Sequence, residues 1–478
     1  MLSKQDAFLA KYQPDPERYL VEALDVRADY IWPKMRDVMH SVRDNERTAV
    51  KAGHSVSKSY TAARLALWFL VCHPPATVVT TAPTEKQVMD VLWREIAAAH
   101  AGSRIPIGGN LSGLKLDLAP KWFATGFSTR PDTVTAQATS FQGYHNRNVL
   151  VIFDEAAGIL PQIWDAAEGL LTGGHTRFLI IGNPTSAYGH FAACFRPNSG
   201  YHQITISVLD TPNYIEGREL IPGLAGREFE ASIRRNYGEA SNFYRSRVLG
   251  EIPEFTEGAI YGKEMLAARQ SGRICRIPPD NTALVHTAWD LGVGDCTAIW
   301  FVQMVNQECH VIDYYERSGE GLAHYAKLLD DKRLANGWIY GRHFAPHDIE
   351  ARELGTGDTR LMTARNLGIN FDVIPRTGLE DGIEAVRQLL PRSWFDETTC
   401  GEGLKALCEY KWRKVERLSQ DDKPVYAANP EHDWSSHGAD AFRYLSQAVL
   451  ANMVGPAASA EAARLDHHNW ANYYSRTG

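Results

Sequence analysis

The sequence of 478 residues lacks any uninterrupted apolar stretch long enough to span a bilayer, and residues 1–12 are polar. A transmembrane helix needs roughly 20 consecutive apolar residues, and a secretory signal peptide needs an apolar core, so the sequence predicts neither. We therefore expect a cytoplasmic protein with no membrane partner.

Paired cysteines are also lacking, because the seven cysteines are scattered without a C-x-x-C pair. Neither a zinc ribbon nor a disulfide framework is predicted. A basic excess is absent as well, since 50 Lys and Arg residues stand against 57 Asp and Glu residues, for a net charge of −7. Proteins that bind nucleic acid statically and tightly are usually basic, so any such contact should depend on local patches.

A small-residue loop that ends in Lys58 and Ser59 and leads into an apolar segment is the most informative feature that the sequence does contain. Residues 47–52 predict a strand that enters the loop, and residues 57–72 predict a helix that leaves it. The loop resembles the phosphate-binding pattern G-x-x-x-x-G-K-[ST], with other residues at both glycine positions. Backbone N–H groups and a helix N-terminus would converge on an anion there. We expect Lys58 to contact the β- and γ-phosphates of a nucleotide and Ser59 to ligate Mg²⁺.

A continuous apolar run, residues 149–155, ends in the acids Asp154 and Glu155. Such a run predicts a central parallel strand, and acids at its C-terminal end lie where α/β sheets bind ligands. We expect Asp154 to hold magnesium through water and Glu155 to polarise the attacking water. The alternative is a core strand whose terminal acids are merely solvated, and the occurrence of both motifs in this order argues against it.

Two further strands complete the pattern of an ATPase. Residues 77–81 predict a strand whose loop leads into a helix beginning near Glu85. Residues 178–181 predict a strand that ends in the turn Gly-Asn-Pro-Thr, which would place Asn183 and Thr185 near the phosphate end of the sheet. We expect this turn to sense the γ-phosphate.

The second half of the chain carries three aspartates in a different pattern. Asp290 ends an apolar strand, Asp348 follows a predicted strand, and Asp440 lies on a helix beginning near Ser436. Predicted strands occupy residues 297–303, 309–314 and 340–346. Carboxylates gathered from distant positions repel one another unless cations lie between them, so the cluster implies divalent metal, and replacing any one by Asn should stabilise the metal-free fold. Two metals would activate a water and stabilise the leaving oxygen of a phosphodiester. The alternative for each aspartate is a turn or capping residue.

Together, the imperfect P-loop, the Ile-Phe-Asp-Glu strand end, the Gly-Asn-Pro-Thr turn, D-x-G-x-G-D and H-x-x-D-A resemble the large terminase subunit of tailed bacteriophages. The resemblance implies an α/β chain with an N-terminal P-loop NTPase domain, built on a mainly parallel sheet, and a C-terminal ribonuclease H-like α/β nuclease domain. It implies a viral DNA-packaging motor subunit in the host cytoplasm. Such a subunit hydrolyses ATP to translocate double-stranded DNA into a procapsid and cuts the DNA concatemer by two-metal hydrolysis.

The resemblance also implies roles for individual residues and for partners. The implied nucleotide-binding residues are Lys51, Gly53, Ser57, Lys58, Ser59, Asp154 and Asn183. The implied catalytic residues are Glu155, Asp290, Asp348 and Asp440, and the implied metal ligands are Ser59, Asp154, Asp290, Asp348 and Asp440. ATP and Mg²⁺ are the implied cofactors, with Mn²⁺ able to substitute in the nuclease site. The implied partners are double-stranded DNA, the small terminase subunit, the portal protein and further copies of the chain in a ring docked on the procapsid.

Several neighbouring residues are accessory or alternative candidates for the nuclease site. Asp295 is a candidate accessory ligand, and Glu350 and Glu353 are alternatives to Asp348. His347 and His437 could orient metal-bound water or phosphate, or could form structural pairs with the adjacent acids.

The transferring phosphoryl group also needs a basic partner, from this chain or from a neighbouring subunit. The family often uses a basic residue just ahead of the P-loop, so Lys51 is the first choice. The basic residues nearest the ATP motifs are Arg47, Lys51, Arg130, Arg147 and Arg177.

A chain of this length exceeds what one hydrophobic core usually serves, so more than one domain is predicted. We expect an ATPase domain over residues 1–212 with a helical cap over 1–45, a helical linker region over 213–279, a nuclease domain over 280–450 and a flexible tail over 451–478. Within the linker region, residues 218–249 have a charged, helical pattern. The tail is the expected docking segment for the portal.

Near the nuclease motifs, one cluster of basic residues is the best candidate for a DNA-binding patch, and the alternative is a solvated helix face. The cluster consists of Lys411, Arg413, Lys414 and Arg417, interleaved with Trp412.

Two other interpretations of the function remain open. Ala52 and Ser57 occupy the glycine positions of the P-loop, and a side chain at Ser57 could weaken nucleotide binding. The chain would then be a metal-dependent nuclease or a docking scaffold with a weakly active ATPase site. A helicase or repair ATPase with an appended nuclease is the other alternative, although further helicase motifs and an arginine-rich second core are not found in the sequence.

Overall fold

The computed structural model describes residues 3–128, 144, 146–171, 174–292, 296–352, 358–415, 417–419 and 424–454. Arg130, Asp295, Glu353 and the tail from residue 455 onward, for which roles were predicted, lie outside the described residues. The chain divides into two compact units, Met1–Glu257 and Gly258–Gly478. The border falls inside the region 213–279 that the sequence predicts as a linker.

The first unit is built on one sheet of mainly parallel strands. Its strands are β1 (Arg47–Ala52), β2 (Ala76–Ala82), β3 (Asn110–Ser112), β4 (Lys115–Ala119), β5 (Trp122–Ser128), β6 (Asn148–Asp154), β7 (His175–Gly182) and β8 (His202–Ile206). They lie in the order β3-β4-β5-β2-β6-β7-β1-β8. All pairs from β5 to β8 are parallel, whereas β3, β4 and β5 pair antiparallel. The strands predicted from the ATPase motifs are therefore confirmed, each to within a few residues.

Helices cover both faces of this sheet, which explains why its central strands read as continuous apolar runs. They are α1 (Lys4–Tyr12), α2 (Pro16–Glu22), α3 (Pro33–Asp44), α4 (Lys58–Cys72), α5 (Arg94–Ala101), α6 (Pro161–Glu168), α7 (Gly189–Ala193), α8 (Pro212–Glu216), α9 (Arg227–Tyr237) and α10 (Asn242–Tyr244). Along β6, Leu150 and Ile152 join the core on one face, while Val151 and Phe153 join the core on the other.

Helix α4 begins directly after the phosphate-binding loop, as the sequence predicts. Residues 1–45, predicted as a helical cap, contain the helices α1, α2 and α3, and Trp68 of α4 donates a hydrogen bond to the Tyr12 carbonyl at 2.9 Å. The helical pattern predicted over residues 218–249 is wrong for residues 218–226, where Pro222 and Gly223 interrupt any helix, and for residues 238–241, where Gly238 ends α9.

The second unit contains a mixed sheet in the order β14-β13-β10-β11-β12-β15-β9 and a separate two-stranded ribbon of β16 and β17. Its strands are β9 (Ile274–Cys275), β10 (Val285–Asp290), β11 (Cys296–Val305), β12 (Glu308–Ser318), β13 (Tyr340–Pro346), β14 (Phe371–Ile374), β15 (Ser393–Asp396), β16 (Trp412–Lys414) and β17 (Tyr426–Pro430). Its helices are α11 (Gly262–Gln270), α12 (Leu322–Asn336), α13 (Arg360–Asn366), α14 (Leu379–Leu389), α15 (Gly401–Glu409) and α16 (Trp434–Leu450).

The strand order identifies the fold of this unit. Strands β10, β11 and β12 form an antiparallel meander, β13 adds parallel to β10, and β14 adds parallel to β13. This is the five-stranded arrangement of a ribonuclease H-like domain, so the predicted fold class is confirmed. Because β10 and β13 are parallel neighbours, their C-terminal ends lie side by side.

The basic cluster near residue 411 does not lie on a helix. Trp412–Lys414 form β16, and the Lys411 ammonium lies 3.6 Å from the Glu431 carboxylate beside β17. The helix of this alternative is therefore wrong, whereas the exposure that it predicts is found at Arg413, Lys414 and Arg417.

None of the helices among the described residues combines the length and the apolar composition that are needed to cross a membrane.

Candidate nucleotide and metal sites

The phosphate-binding loop and the turn after β7 meet at Lys58. Its ammonium donates to the Gly53 carbonyl at 3.0 Å and to the Asn183 side-chain oxygen at 3.1 Å. The Asn183 amide nitrogen donates in turn to the Ala52 carbonyl at 2.5 Å. These four residues come from β1, the loop, α4 and the turn after β7, and the parallel order of β1 and β7 brings them together.

The two acids at the end of β6, Asp154 and Glu155, lie beside Ser59 and Lys58, the residues that begin α4. The Ser59 hydroxyl donates to Asp154 at 2.7 Å. Asp154 is 1% exposed, and burial, followed by the negative charge of Glu155, raises the pKa of its carboxyl. The Glu155 carboxylate lies 4.0 Å from the Lys58 ammonium, and Glu155 has a φ of 48°, in the left-handed region that strains a residue with a side chain.

The loop has a left-handed backbone conformation at Ser57, one of the two positions where the phosphate-binding pattern has glycine. Ser57 has a φ of 66° and a ψ of 24°, a conformation that glycine adopts freely. Its carbonyl accepts bonds from the backbone and the hydroxyl of Thr61, at 2.9 and 2.8 Å, which starts α4. Gly53 cannot be replaced without movement, because a Cβ there would lie 2.8 Å from the Arg247 carbonyl oxygen.

Three of the basic residues considered as charge partners for the phosphates lie away from the phosphate-binding loop. Arg47 begins β1 and pairs with Glu168 at 2.6 Å, Arg177 donates to main-chain carbonyls at 2.9 Å, and Arg147 directly precedes β6. The starts of parallel strands lie at the sheet edge opposite to the loop, so the prediction is wrong for these three. Lys51 lies near the end of β1, with its ammonium 5.4 Å from the ring centre of Phe195, and burial lowers its pKa.

The three aspartates of the second unit occupy two strand ends and a helix. Asp290 ends β10, and its carboxylate lies 3.3 Å from the His437 imidazole of α16. Burial raises the pKa of the Asp290 carboxyl, His437 opposes the rise, and the charge of Asp348 adds to it. Asp348 is exposed in the turn His347–Glu350 that directly follows β13.

Asp440 is held by two neighbours that the sequence motifs did not reveal. The Arg443 guanidinium lies 3.0 Å from its carboxylate, and the Tyr410 hydroxyl donates to it at 3.3 Å. Burial raises the pKa of Asp440, and Arg443 opposes the rise. Burial also raises the pKa of Tyr444, Arg443 lowers it, and the charges of all three aspartates raise it further. Arg443 follows Asp440 by three positions on one helix, so helical periodicity was the signal that could have found it.

The donor set fits hard divalent cations, which prefer carboxylate oxygens. The three carboxylates come from separate elements and converge at the C-terminal edge of the sheet. Among the described residues, no three His, Cys, Asp or Glu side chains are already grouped at metal-binding spacing. Arg443 instead neutralises one of the carboxylates.

A curated protein of Enterobacteria phage P7, described as "Probable terminase, large subunit", is 26% identical over 260 residues. The match covers 51% of this chain and 50% of the relative, so the chain spans about half the length of the curated relative that it matches. The predicted resemblance to phage terminase large subunits is confirmed.

Solved terminase structures are also similar to the chain. The large terminase of the thermophilic bacteriophage D6E has a TM-score of 0.37 at 15% identity, covering 88% of this chain and 99% of its own. The ATPase domain of the Thermus phage P74-26 large terminase has a TM-score of 0.32 at 19% identity, covering 45% of this chain and 92% of its own. No protein-family model matches the chain.

Arg247 and Glu257 are further residues near the loop that the motifs did not predict. Arg247 donates to the imidazole of His54 in the loop and, at 2.9 Å, to the carboxylate of Glu257. No local pattern marks them, because they lie in a charged segment far along the chain from the loop.

Proposed function

We propose that the chain is a DNA-packaging motor subunit that hydrolyses ATP and cuts DNA with a metal-dependent nuclease. The observation that carries the ATPase half is the meeting of Lys58, Asn183, Ser59 and Asp154 at one end of the parallel sheet. These hydrogen bonds join the loop motif to two strand-end motifs that lie far from it in the sequence. Amino-acid composition alone would not bring all three motifs to one edge of the sheet.

For ATP hydrolysis, Lys58 would exchange its present carbonyl partners for phosphate oxygens. Ser59 and Asp154 would hold Mg²⁺, which when bound supplies neutralisation of the phosphate charge. Glu155 would orient the attacking water, because its carboxylate lies beside Lys58 and is less buried than Asp154. Asn183 would respond to the γ-phosphate, because its side-chain oxygen accepts from the Lys58 ammonium that would contact this phosphate. Lys51, Gly53 and Ser57 are proposed to contribute to nucleotide binding.

For DNA cleavage, Asp290, Asp348 and Asp440 would hold the divalent cations. Bound there, the cations supply water activation and stabilisation of the leaving oxygen. His437 would orient the Asp290 carboxylate, and Arg443 would fix the direction of the Asp440 carboxylate through the 3.0 Å contact.

The partners follow from the similarity to terminase large subunits and belong to the same proposal. They are double-stranded DNA, a small terminase subunit, a portal protein and further copies of the chain in a ring, in the host cytoplasm. The basic ribbon of β16 and β17 is the proposed DNA contact of the nuclease unit. The proposed division is an ATPase domain over residues 1–212, a linker region over 213–279, a nuclease domain over 280–450 and a tail over 451–478.

The proposal is tested with the full chain by measuring Mg²⁺-dependent ATP hydrolysis, with and without DNA, and Mn²⁺-dependent nicking of plasmid. Lys58→Ala should abolish hydrolysis and leave nicking intact, whereas Asp290→Asn should do the reverse. Each variant is the matched control for the other, because the two sites lie in separate units. A chain that nicks DNA but never hydrolyses ATP would instead support the alternative of a nuclease or scaffold with a degenerate ATPase site, which the side chain on Ser57 favours.

A further inference from the structure

The segment that closes the first unit returns to the phosphate-binding loop through one arginine. Arg247 is 9% exposed, and its Nη1 donates to the Nε2 atom of His54, which lies within the loop. Its Nη2 donates to the Glu257 carboxylate at 2.9 Å. A guanidinium only donates, and its planar fork can hold two acceptors at once. One side chain therefore joins the loop to the last residue of the unit.

The backbone around Arg247 also packs directly on the loop. The His54 N–H donates to the Arg247 carbonyl at 2.8 Å. A Cβ at Gly53 would lie 2.9 Å from the Val248 carbonyl oxygen, and a Cβ at Gly250, whose φ is 65°, would lie 2.9 Å from the Gly53 nitrogen. The two backbones are therefore too close to move independently.

The other end of this connection reaches the turn after β7. The Glu257 N–H donates to the Thr185 carbonyl at 3.2 Å, two residues beyond Asn183. Asn183 is bonded to both Ala52 and Lys58. The contacts form a closed path from the loop through Arg247, Glu257 and the turn back to the loop.

We propose that Arg247 is a positioning residue for ATP hydrolysis that couples the phosphate-binding loop to the turn after β7 through His54 and Glu257. The inference rests on the proposed ATPase function. Arg247 acts through these two partners and not on the phosphates, so it sets the distance between the two groups that flank the γ-phosphate. Cutting the link should slow turnover and leave the loop's own affinity for nucleotide largely intact, because Lys58 and Ser59 remain in place.

The test measures kcat and KM for ATP, and the Kd for ATP-γ-S, with the full chain. Arg247→Gln is expected to lower kcat by about tenfold or more while Kd changes less than about threefold, because small misplacements of reacting groups cost rate more than binding. Glu257→Gln should have the same effect. The double variant Arg247→Gln/Glu257→Gln should be no slower than the slower of the two single variants, because each of the three variants breaks the same connection. Arg247→Lys should stay slow, since a single ammonium cannot reproduce the planar fork.

Arg234→Gln is the matched control, because its 3.4 Å pair with Glu230 stays within α9, and we expect wild-type turnover. Melting curves without nucleotide check folding, and Glu257→Gln carries the test if Arg247→Gln fails to fold. The proposal is overturned by unchanged kcat, by loss of affinity in place of rate, by independent effects in the double variant, or by full activity in Arg247→Lys. A wild-type chain that is no faster than Lys58→Ala would refute the ATPase function itself, whereas an active wild type with unimpaired Arg247→Gln would refute only the coupling.

Discussion

The ammonium of Lys58 donates a hydrogen bond of 3.1 Å to the side-chain oxygen of Asn183, although 125 positions separate them in the sequence. The same amide group holds the Ala52 carbonyl through its nitrogen at 2.5 Å. Asn183 is 3% exposed. One buried amide therefore fastens both the entry and the exit of the phosphate-binding loop to the neighbouring strand.

Asn183→Ala should lower the thermal midpoint of the nucleotide-free chain. The substitution leaves the Ala52 carbonyl and the Lys58 ammonium each short of one partner, and a buried polar group without a partner costs about 1–3 kcal/mol. ATP-γ-S should restore part of the loss, because phosphate oxygens can replace the amide at Lys58 but not at Ala52. Calorimetry with and without the nucleotide measures both effects, and an unchanged midpoint would show that the bridge adds no stability.

Glu155→Gln and Asp154→Asn should separate turnover from binding. Gln keeps the shape of Glu155 and loses the charge that orients water, so ATP should bind normally and hydrolysis should stop. Asn at position 154 should weaken Mg²⁺-dependent nucleotide binding instead, because Asp154 is the buried acid that accepts from Ser59. Filter binding and phosphate release distinguish the two. Identical affinity and identical turnover in both variants would move the hydrolytic site away from the end of β6.

Ser57→Gly should raise the affinity for ATP with little change in stability. Relief of the left-handed conformation gains about 1 kcal/mol, and the extra freedom of glycine in the unfolded chain removes a similar amount. Without a Cβ, the loop backbone can approach phosphate more closely. Ser57→Ala keeps the Cβ and is the matched control. Titration of this variant with ATP should show no gain in affinity. Equal affinity in wild type and Ser57→Gly would mean that the missing glycine does not limit the site.

The sequence predicted the elements that carry the motifs, because a strand buried on both faces is a continuous apolar run, as at residues 149–154. The order of the motifs was enough to expect both sheets. The contacts of Arg247 with the loop were not predictable, because they join segments that are distant in the sequence and leave no periodic signal. The placement of Arg47 and Arg177 was wrong for a related reason: nearness in sequence to a motif does not say at which end of a strand a side chain lies.

Asp290→Asn should raise the thermal midpoint of the metal-free chain and remove its response to Mn²⁺. Burial, with a further contribution from Asp348, raises the pKa of the Asp290 carboxyl, so the ionised form destabilises the fold. The penalty is absent below the ordinary pKa of 3.8, where the carboxyl is protonated in both states, and complete above the raised pKa. The gain from Asn should therefore be largest at neutral pH and should shrink as the pH is lowered towards that value.

Asp440→Asn should behave differently, and the comparison tests the metal site as a whole. For Asp440 the ion pair with Arg443 opposes the gain expected from removing a buried charge, because Asn would leave the guanidinium, 14% exposed, without its carboxylate. We expect a lower midpoint than wild type for Asp440→Asn and a higher one for Asp290→Asn, with DNA nicking lost in both. Mn²⁺ should raise the midpoint of the wild-type chain more than that of either variant, since a ligand that binds only the folded state stabilises it. A wild-type midpoint that ignores Mn²⁺, or an Asp440→Asn chain that still nicks DNA, would remove Asp440 from the site and leave Arg443 with a purely structural partner.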